Sequence, residues 1–176
     1  MAGDTALLVI DMQVGNVAHA YQKDAIVARL AGLIAEARAA GTPVVFVQHE
    51  DDWPTMRPGG PDWQFLPGLT PAEGELVIHK RASDAFYETP LREELAARGI
   101  RRLVVTGVQT ELCVDATCRR AASEGFDVTL VADGHTTVDS ATLPAAQIIA
   151  HHNLALRQMA QPDHPIAVRP RAEITF

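Results

Sequence analysis

The chain is poor in cysteine and in lysine: each occurs twice in 176 residues. Two cysteines, Cys113 and Cys118, cannot build a disulfide framework, so a reducing, cytoplasmic setting is the expectation. Long hydrophobic runs are missing too, and no apolar stretch approaches the ~18 residues of a membrane span. Excess positive charge is absent: fifteen basic residues stand against twenty-two acidic ones, a formal charge of −7, and no basic run carries interleaved aromatics. These absences exclude membrane insertion and phosphate-backbone binding from the expected roles. The opening stretch "MAGDTALLVID" lacks a basic n-region and a small-residue cleavage site, so it reads as the approach to a first strand rather than a leader.

What is present is an ordinary globular composition, 47% hydrophobic and 21% charged. The length suits one domain, residues 1–176, with a substantial core. Continuous apolar runs at 5 to 11, 43 to 49, 75 to 80, 100 to 107 and 126 to 133 predict strands covered on both faces. Between them lie helical patterns. Residues 23 to 41 carry an apolar stripe stopped by Gly41. Residues 89 to 99 offer Thr89 as N-cap and Pro90 at the first helical position, and 110 to 125 offer Thr110 as N-cap. A longer helix spans about Ser140 to Met159. Such alternation predicts an α/β fold: a three-layer α/β/α sandwich with a mostly parallel, Rossmann-like sheet. Residues 50 to 74 hold five prolines among glycines and form a long ordered loop, a feature that tends to be functional.

Ligands of parallel sheets sit beyond the carboxyl ends of the strands. The residues there are Asp11, His49, Lys80, Gly107 with the loop after it, and Asp133. With Thr110 as N-cap, Cys113 is the third helical residue, where the helix field is expected to lower a thiol's pKa. Free N–H groups of that turn suit a developing oxyanion. Asp11 can move the thiol proton, and Lys80 can hold the acid charged and steady the thiolate.

Three blocks, "LLVIDMQ" (7 to 13), "VIHKRASDAF" (77 to 86) and "VVTGVQTELCVDATCRRA" (104 to 121), resemble the signature blocks of the isochorismatase-like cysteine hydrolases. The resemblance runs over roughly residues 5 to 160 and implies an Asp-Lys-Cys triad at Asp11, Lys80 and Cys113. It also implies a cis peptide between Val108 and Gln109, turning the Gln109 N–H toward that of Cys113 as an oxyanion hole. Members that keep the cysteine are amidases, so the resemblance implies C–N hydrolysis of a small amide or ureide through a thioester. It suggests a homo-oligomer as well, a dimer or tetramer.

The nicotinamidase branch binds a divalent metal through an aspartate and histidines after the second strand. Here that stretch is "QHEDDWPTMRPGG", without the paired histidines, and His49, Glu50, Asp51 and Asp52 cannot all face one ion without a tight loop. The expectation is no metal and no cofactor. Gln13, His49, Trp53, Trp63, Phe86 and Tyr87 are the candidate substrate contacts, with Phe65 or Trp63 as a loop anchor. Cys118 lies about 140° around the helix from Cys113 and reads as a packed thiol. His152 reads as a hydrogen-bonded helix-face residue, with His151 beside it pointing elsewhere, and His135 as a further pocket candidate. Two rivals stand beside the amidase: a metal-assisted nicotinamidase-like enzyme, and a redox-responsive thiol protein on the same fold.

Overall fold

The computed structural model describes residues 3–176; Met1 and Ala2, part of the opening stretch read above, lie outside the described residues. Six parallel strands form one sheet: β1 (Thr5–Ile10), β2 (Val44–His49), β3 (Leu76–Lys80), β4 (Arg102–Val108), β5 (Asp127–Thr136) and β6 (Ala167–Arg169). Their order is β3-β2-β1-β4-β5-β6. Four α-helices flank it: α1 (Lys23–Ala39), α2 (Leu91–Ala97), α3 (Asp115–Ser123) and α4 (Ala145–Arg157).

The apolar runs divide by parity, as the period-2 pleat requires. Ala6, Leu8 and Ile10 of β1 face one cluster with Val45, Val47, Leu103 and Val105, covered by Leu91 and Leu95 of α2, Ala121 of α3 and Leu156 of α4. Leu7 and Val9 face the other, with Val44, Phe46 and Val104, covered by Ile26, Leu30, Leu33 and Ile34 of α1. Burying each such side chain stabilises the fold by roughly 1.5–3 kcal/mol. Both faces are therefore covered, and the three layers expected from the sequence are those observed. Among the described residues no helix is long and apolar enough to cross a membrane.

Four local readings change. β5 runs three residues past Asp133, to Thr136, with a register irregularity opposite Val105 and Gly107, so His135 lies inside a strand. The chain also adds the short β6, which three residues of pattern were too few to signal. The last helix starts at Ala145, because Pro144 holds an extended backbone at its N-cap. Thr89 accepts a hydrogen bond from the Leu91 N–H at 3.3 Å, one residue beyond Pro90.

The strand order reverses direction between β1 and β4, which opens a crevice at their carboxyl ends. Gly107 makes that junction possible. Its φ is 124°, and a Cβ there would stand 2.1 Å from the Ile10 carbonyl oxygen. Replacing Gly107 with Ala forces β1 and β4 apart in a close-packed core. We expect the substitution to cost at least about 3 kcal/mol, read as a lowered midpoint in urea unfolding.

Candidate active site

The segment after each strand positions one functional group. Asp11 follows β1 in a left-handed conformation, φ 52°, its N–H bonded to the Val47 carbonyl at 2.9 Å. An aspartate in that region costs roughly 1–3 kcal/mol, which the pairing with β2 offsets. Lys80 ends β3, two strands away, and its side chain is fully enclosed. Its Nζ lies 2.6 Å from Asp11 Oδ2, donates to Cys113 Sγ at 3.2 Å and to the Ala82 carbonyl at 2.9 Å, and approaches His49 Nδ1 at 3.4 Å. Apart from that ion pair, neither Asp11 oxygen has a well-angled hydrogen-bond partner among the described residues, so the carboxylate is open to a proton.

Cys113 sits in a turn wider than an α-helix. Residues Thr110–Val114 form a π-type turn closed by the Val114 N–H on the Gln109 carbonyl at 3.1 Å, and α3 begins only after it. Such turns recur at functional sites because they shift a side chain out of helical register. The peptide between Val108 and Gln109 is cis. Thr110 does not cap the helix: Gln109 takes the flanking extended position, and the Thr110 hydroxyl pairs with His135 Nδ1 at 2.8 Å. The other His135 nitrogen meets Asn153 Oδ1 at 3.0 Å. His135 is thus a buried clamp behind the cysteine turn and does not line the cavity at Asp11 and Cys113, and burial pushes its pKa down to about 4.

The electrostatics correct a second expectation. Burial and the neighbouring Asp11 carboxylate push the Cys113 thiol up to about 12, against the opposing pull of Lys80. The low-pKa thiol expected from a helix N-terminus is not what this environment gives. Burial likewise raises the Asp11 carboxyl above its ordinary range, although Lys80 and the thiol pull it down. His49 is held below its usual value by burial and by Lys80. Thiol and carboxyl therefore compete for a proton beside a fixed ammonium.

Asp11 and Cys113 open onto a cavity of 200 Å³, completed by Asn16, His49, Asp51, Ser83, Val108, Gln109 and Leu112. A wider hollow of 410 Å³ around Arg157, Arg169 and Glu173 lies at the β6 edge, holds no nucleophile and is remote from these groups. Of the substrate contacts expected from sequence, His49 alone lines the cavity. Gln13 is fully buried and acts as a bracket: its Nε2 donates to the carbonyls of His49 and Trp63 at 2.8 and 2.9 Å, and its Oε1 accepts from the His49 N–H at 2.8 Å. Trp63 stacks on His79, 5.8 Å between ring centroids, and Phe65 meets Phe46 edge-on at 5.5 Å, so both anchor the long loop. Phe86 is packed in the core against Phe126. Trp53 is 73% exposed, and Tyr87, 57% exposed, lines a neighbouring depression with Glu50 and His79.

Asn16, Ser83 and Leu112 were missed, and Asp51 was weighed only as a metal ligand. Ser83 lies three residues beyond Lys80 and Asn16 five beyond Asp11, a spacing that a search confined to strand ends and aromatics passes over. Cys118 is fully buried beside Val114 and Ala121, as its spacing predicts. His152 Nδ1 pairs with Asp115 Oδ1 at 3.1 Å. Asp133 holds Arg29 at 3.1 Å and is a structural acid inside β5 rather than at its end. Among the described residues, no three His, Cys, Asp or Glu side chains gather as a metal cage.

Comparison with known proteins places this geometry in a family. Residues 5–166 match the isochorismatase domain. The chain is 36% identical over 152 residues to a streptothricin hydrolase of Streptomyces noursei, covering 80% of this chain and 60% of that protein. It spans only 53% of a second streptothricin hydrolase from that organism. It is 32% identical over 163 residues to the secreted isochorismatase effector Isc1 of Verticillium dahliae, covering 89% of this chain and 84% of that protein. It is 32% identical to the ureidoacrylate amidohydrolase RutB of Methylorubrum extorquens over 67% of this chain and 64% of that protein. Among solved structures, an isochorismatase from Pseudomonas putida KT2440 superposes with a TM-score of 0.86 at 35% identity, over 97% of this chain and 90% of that one. On fold, sequence and the converging ends of β1, β3 and β4, this chain belongs to the isochorismatase family.

Proposed function

We propose that the chain is a cysteine amidohydrolase that cleaves a C–N bond of a small non-peptide amide or ureide. The observation that carries the reading is the contact set of one buried ammonium, Lys80, on both Asp11 Oδ2 and Cys113 Sγ at the floor of an open cavity. Relatives named as amidohydrolase and hydrolase support it.

In this reading the Cys113 sulfur attacks the amide carbonyl as Asp11 takes the thiol proton. The thiol's raised pKa means that proton transfer accompanies attack, and the raised proton affinity of Asp11 suits it to receive the proton. Lys80 compensates the charge throughout. The N–H groups of Gln109 and Cys113 hold the tetrahedral oxyanion, and Asp11 returns its proton to the departing nitrogen, which leaves as ammonia or an amine. Water then attacks the thioester while Asp11 takes its proton, and the acid departs as the thiol is restored. A redox sensor needs a standing thiolate, which a thiol pushed up to about 12 lacks, so the observation favours the enzyme over that rival. We extend the same reading to a cytoplasmic homo-oligomer.

Ammonia release from a panel of small amides and ureides, with and without chelator, tests the proposal. Cys113→Ala should lower release to background, while retained turnover would remove the thioester; loss of wild-type rate with chelator would favour the metal-assisted rival. Asp11→Asn should lower kcat/KM by about 10²–10⁴-fold, the usual contribution of a positioned acid–base group. Because Asp11 must be ionised to accept the proton and its pKa is raised, kcat/KM should fall on acidification at a pH above the ordinary carboxylate value of ~4. Cys118→Ser should keep turnover yet lose about 1–3 kcal/mol of stability by chemical denaturation, since it puts a hydroxyl among apolar side chains.

A further inference from the structure

We infer that the cavity selects ligands by charge, admitting cationic amides over anionic ones, and that Asp51 is the residue that decides it. The inference deepens the amidohydrolase reading and rests on it for the word substrate. Two formal charges at the cavity floor, Asp11 and Lys80, cancel as an ion pair. His49, held below its usual pKa, adds no positive charge at neutral pH, and the Cys113 thiol is uncharged. The remaining walls, Asn16, Ser83, Val108, Gln109 and Leu112, are neutral.

Among the described residues, the one uncompensated charge on the lining is the Asp51 carboxylate. It is fixed in place: its Oδ1 accepts the Trp53 N–H at 2.7 Å, leaving Oδ2 without a donor from the protein. The nearby arginine, Arg81, does not neutralise it, because its guanidinium pairs with Asp52 at 3.1 Å. Glu50 lines the adjacent depression with Glu88, Lys80 and Arg81, where the two cations are already drawn to Asp11 and Asp52. A ligand carrying an ammonium a few bonds from its carboxamide would meet Asp51 while its carbonyl reaches Cys113. A carboxylate in the same position would meet Asp51 with like charge.

The test uses Cys113 as a reporter and requires no turnover. The cationic reagent 2-aminoethyl methanethiosulfonate and the anionic 2-sulfonatoethyl methanethiosulfonate both transfer their thiol half to cysteine. The sulfur forms a mixed disulfide, methanesulfinate departs, and the thiol proton goes to solvent. Rates are measured on the full chain with chelator present, so that a bound divalent cation cannot mask the carboxylate. Modification is located by cleavage before Asp115, which separates Cys113 from Cys118, and each rate is divided by that on N-acetylcysteine amide.

We expect the normalised cation-to-anion ratio to be about tenfold or more in the wild type and to shrink as salt is raised. Asp51→Asn should bring the ratio near one, and Asp51→Lys should invert it. A wild-type ratio near one, or a ratio untouched by both variants, overturns the inference. Turnover supplies the second arm: 3-aminopropanamide should have a higher kcat/KM than succinamate. Cys113-dependent ammonia release with a flat reagent ratio would sink charge selection alone. A high ratio with no ammonia from any amide would sink the hydrolase reading and leave charge selection standing.

Discussion

A buried ammonium and a buried carboxylate, 2.6 Å apart, hold this site together. Neither could remain charged by itself at that depth, because desolvation of an unpaired ion costs several kcal/mol. The pair is also a geometric constraint, since Asp11 and Lys80 end strands that are not neighbours: β2 lies between them. Lys80 must pass the end of β2 to reach Asp11, and His49 Nδ1, at 3.4 Å, marks that passage. The left-handed backbone at Asp11, the close approach at Gly107 and the Gln13 bracket all serve the same convergence.

The cysteine turn shows two fields in opposition. A helix N-terminus favours a thiolate, while burial and an adjacent carboxylate disfavour it. Here burial and Asp11 win, and the thiol rises to about 12. For the proposed hydrolysis the consequence is chemical: a protonated sulfur beside a proton-hungry carboxylate would lose its proton during attack rather than before it. The π-type turn has a separate task. It carries Cys113 toward Lys80, while Thr110, on the far side, is held by His135 and Asn153.

The long loop after β2 was expected to supply aromatic walls, and its role is different. Trp63 stacks on the exposed ring of His79, Phe65 meets Phe46 edge-on, and Gln13 and Gln48 both donate to the Trp63 carbonyl, each at 2.9 Å. The loop is therefore tied down by Trp63 and Phe65, and the cavity walls are polar side chains together with Val108 and Leu112. An aromatic in a loop announces burial of apolar area but not against which surface. Gln13 misled for a related reason: a polar residue two positions past a functional acid is read as a ligand contact, whereas a fully buried amide must satisfy its hydrogen bonds somewhere, and this one did so within the protein.

Five of the six strands among the described residues, the layers and the three residues that converge were legible in the sequence by itself. Apolar runs with helical patterns between them determine a covered parallel sheet, and parallel sheets gather their strand ends at one edge. A charged residue ending an apolar strand, as Asp11 and Lys80 do, is conspicuous without coordinates. Tertiary structure alone decided the rest. The thiol's pKa depends on depth and on a carboxylate 102 positions away in the chain, and the role of His135 depends on β5 continuing through a register shift. The cavity's charge depends on Asp52, rather than Asp51, taking Arg81. Each is set by distances between segments remote in sequence, and electrostatic and packing energies act over those distances rather than along the chain.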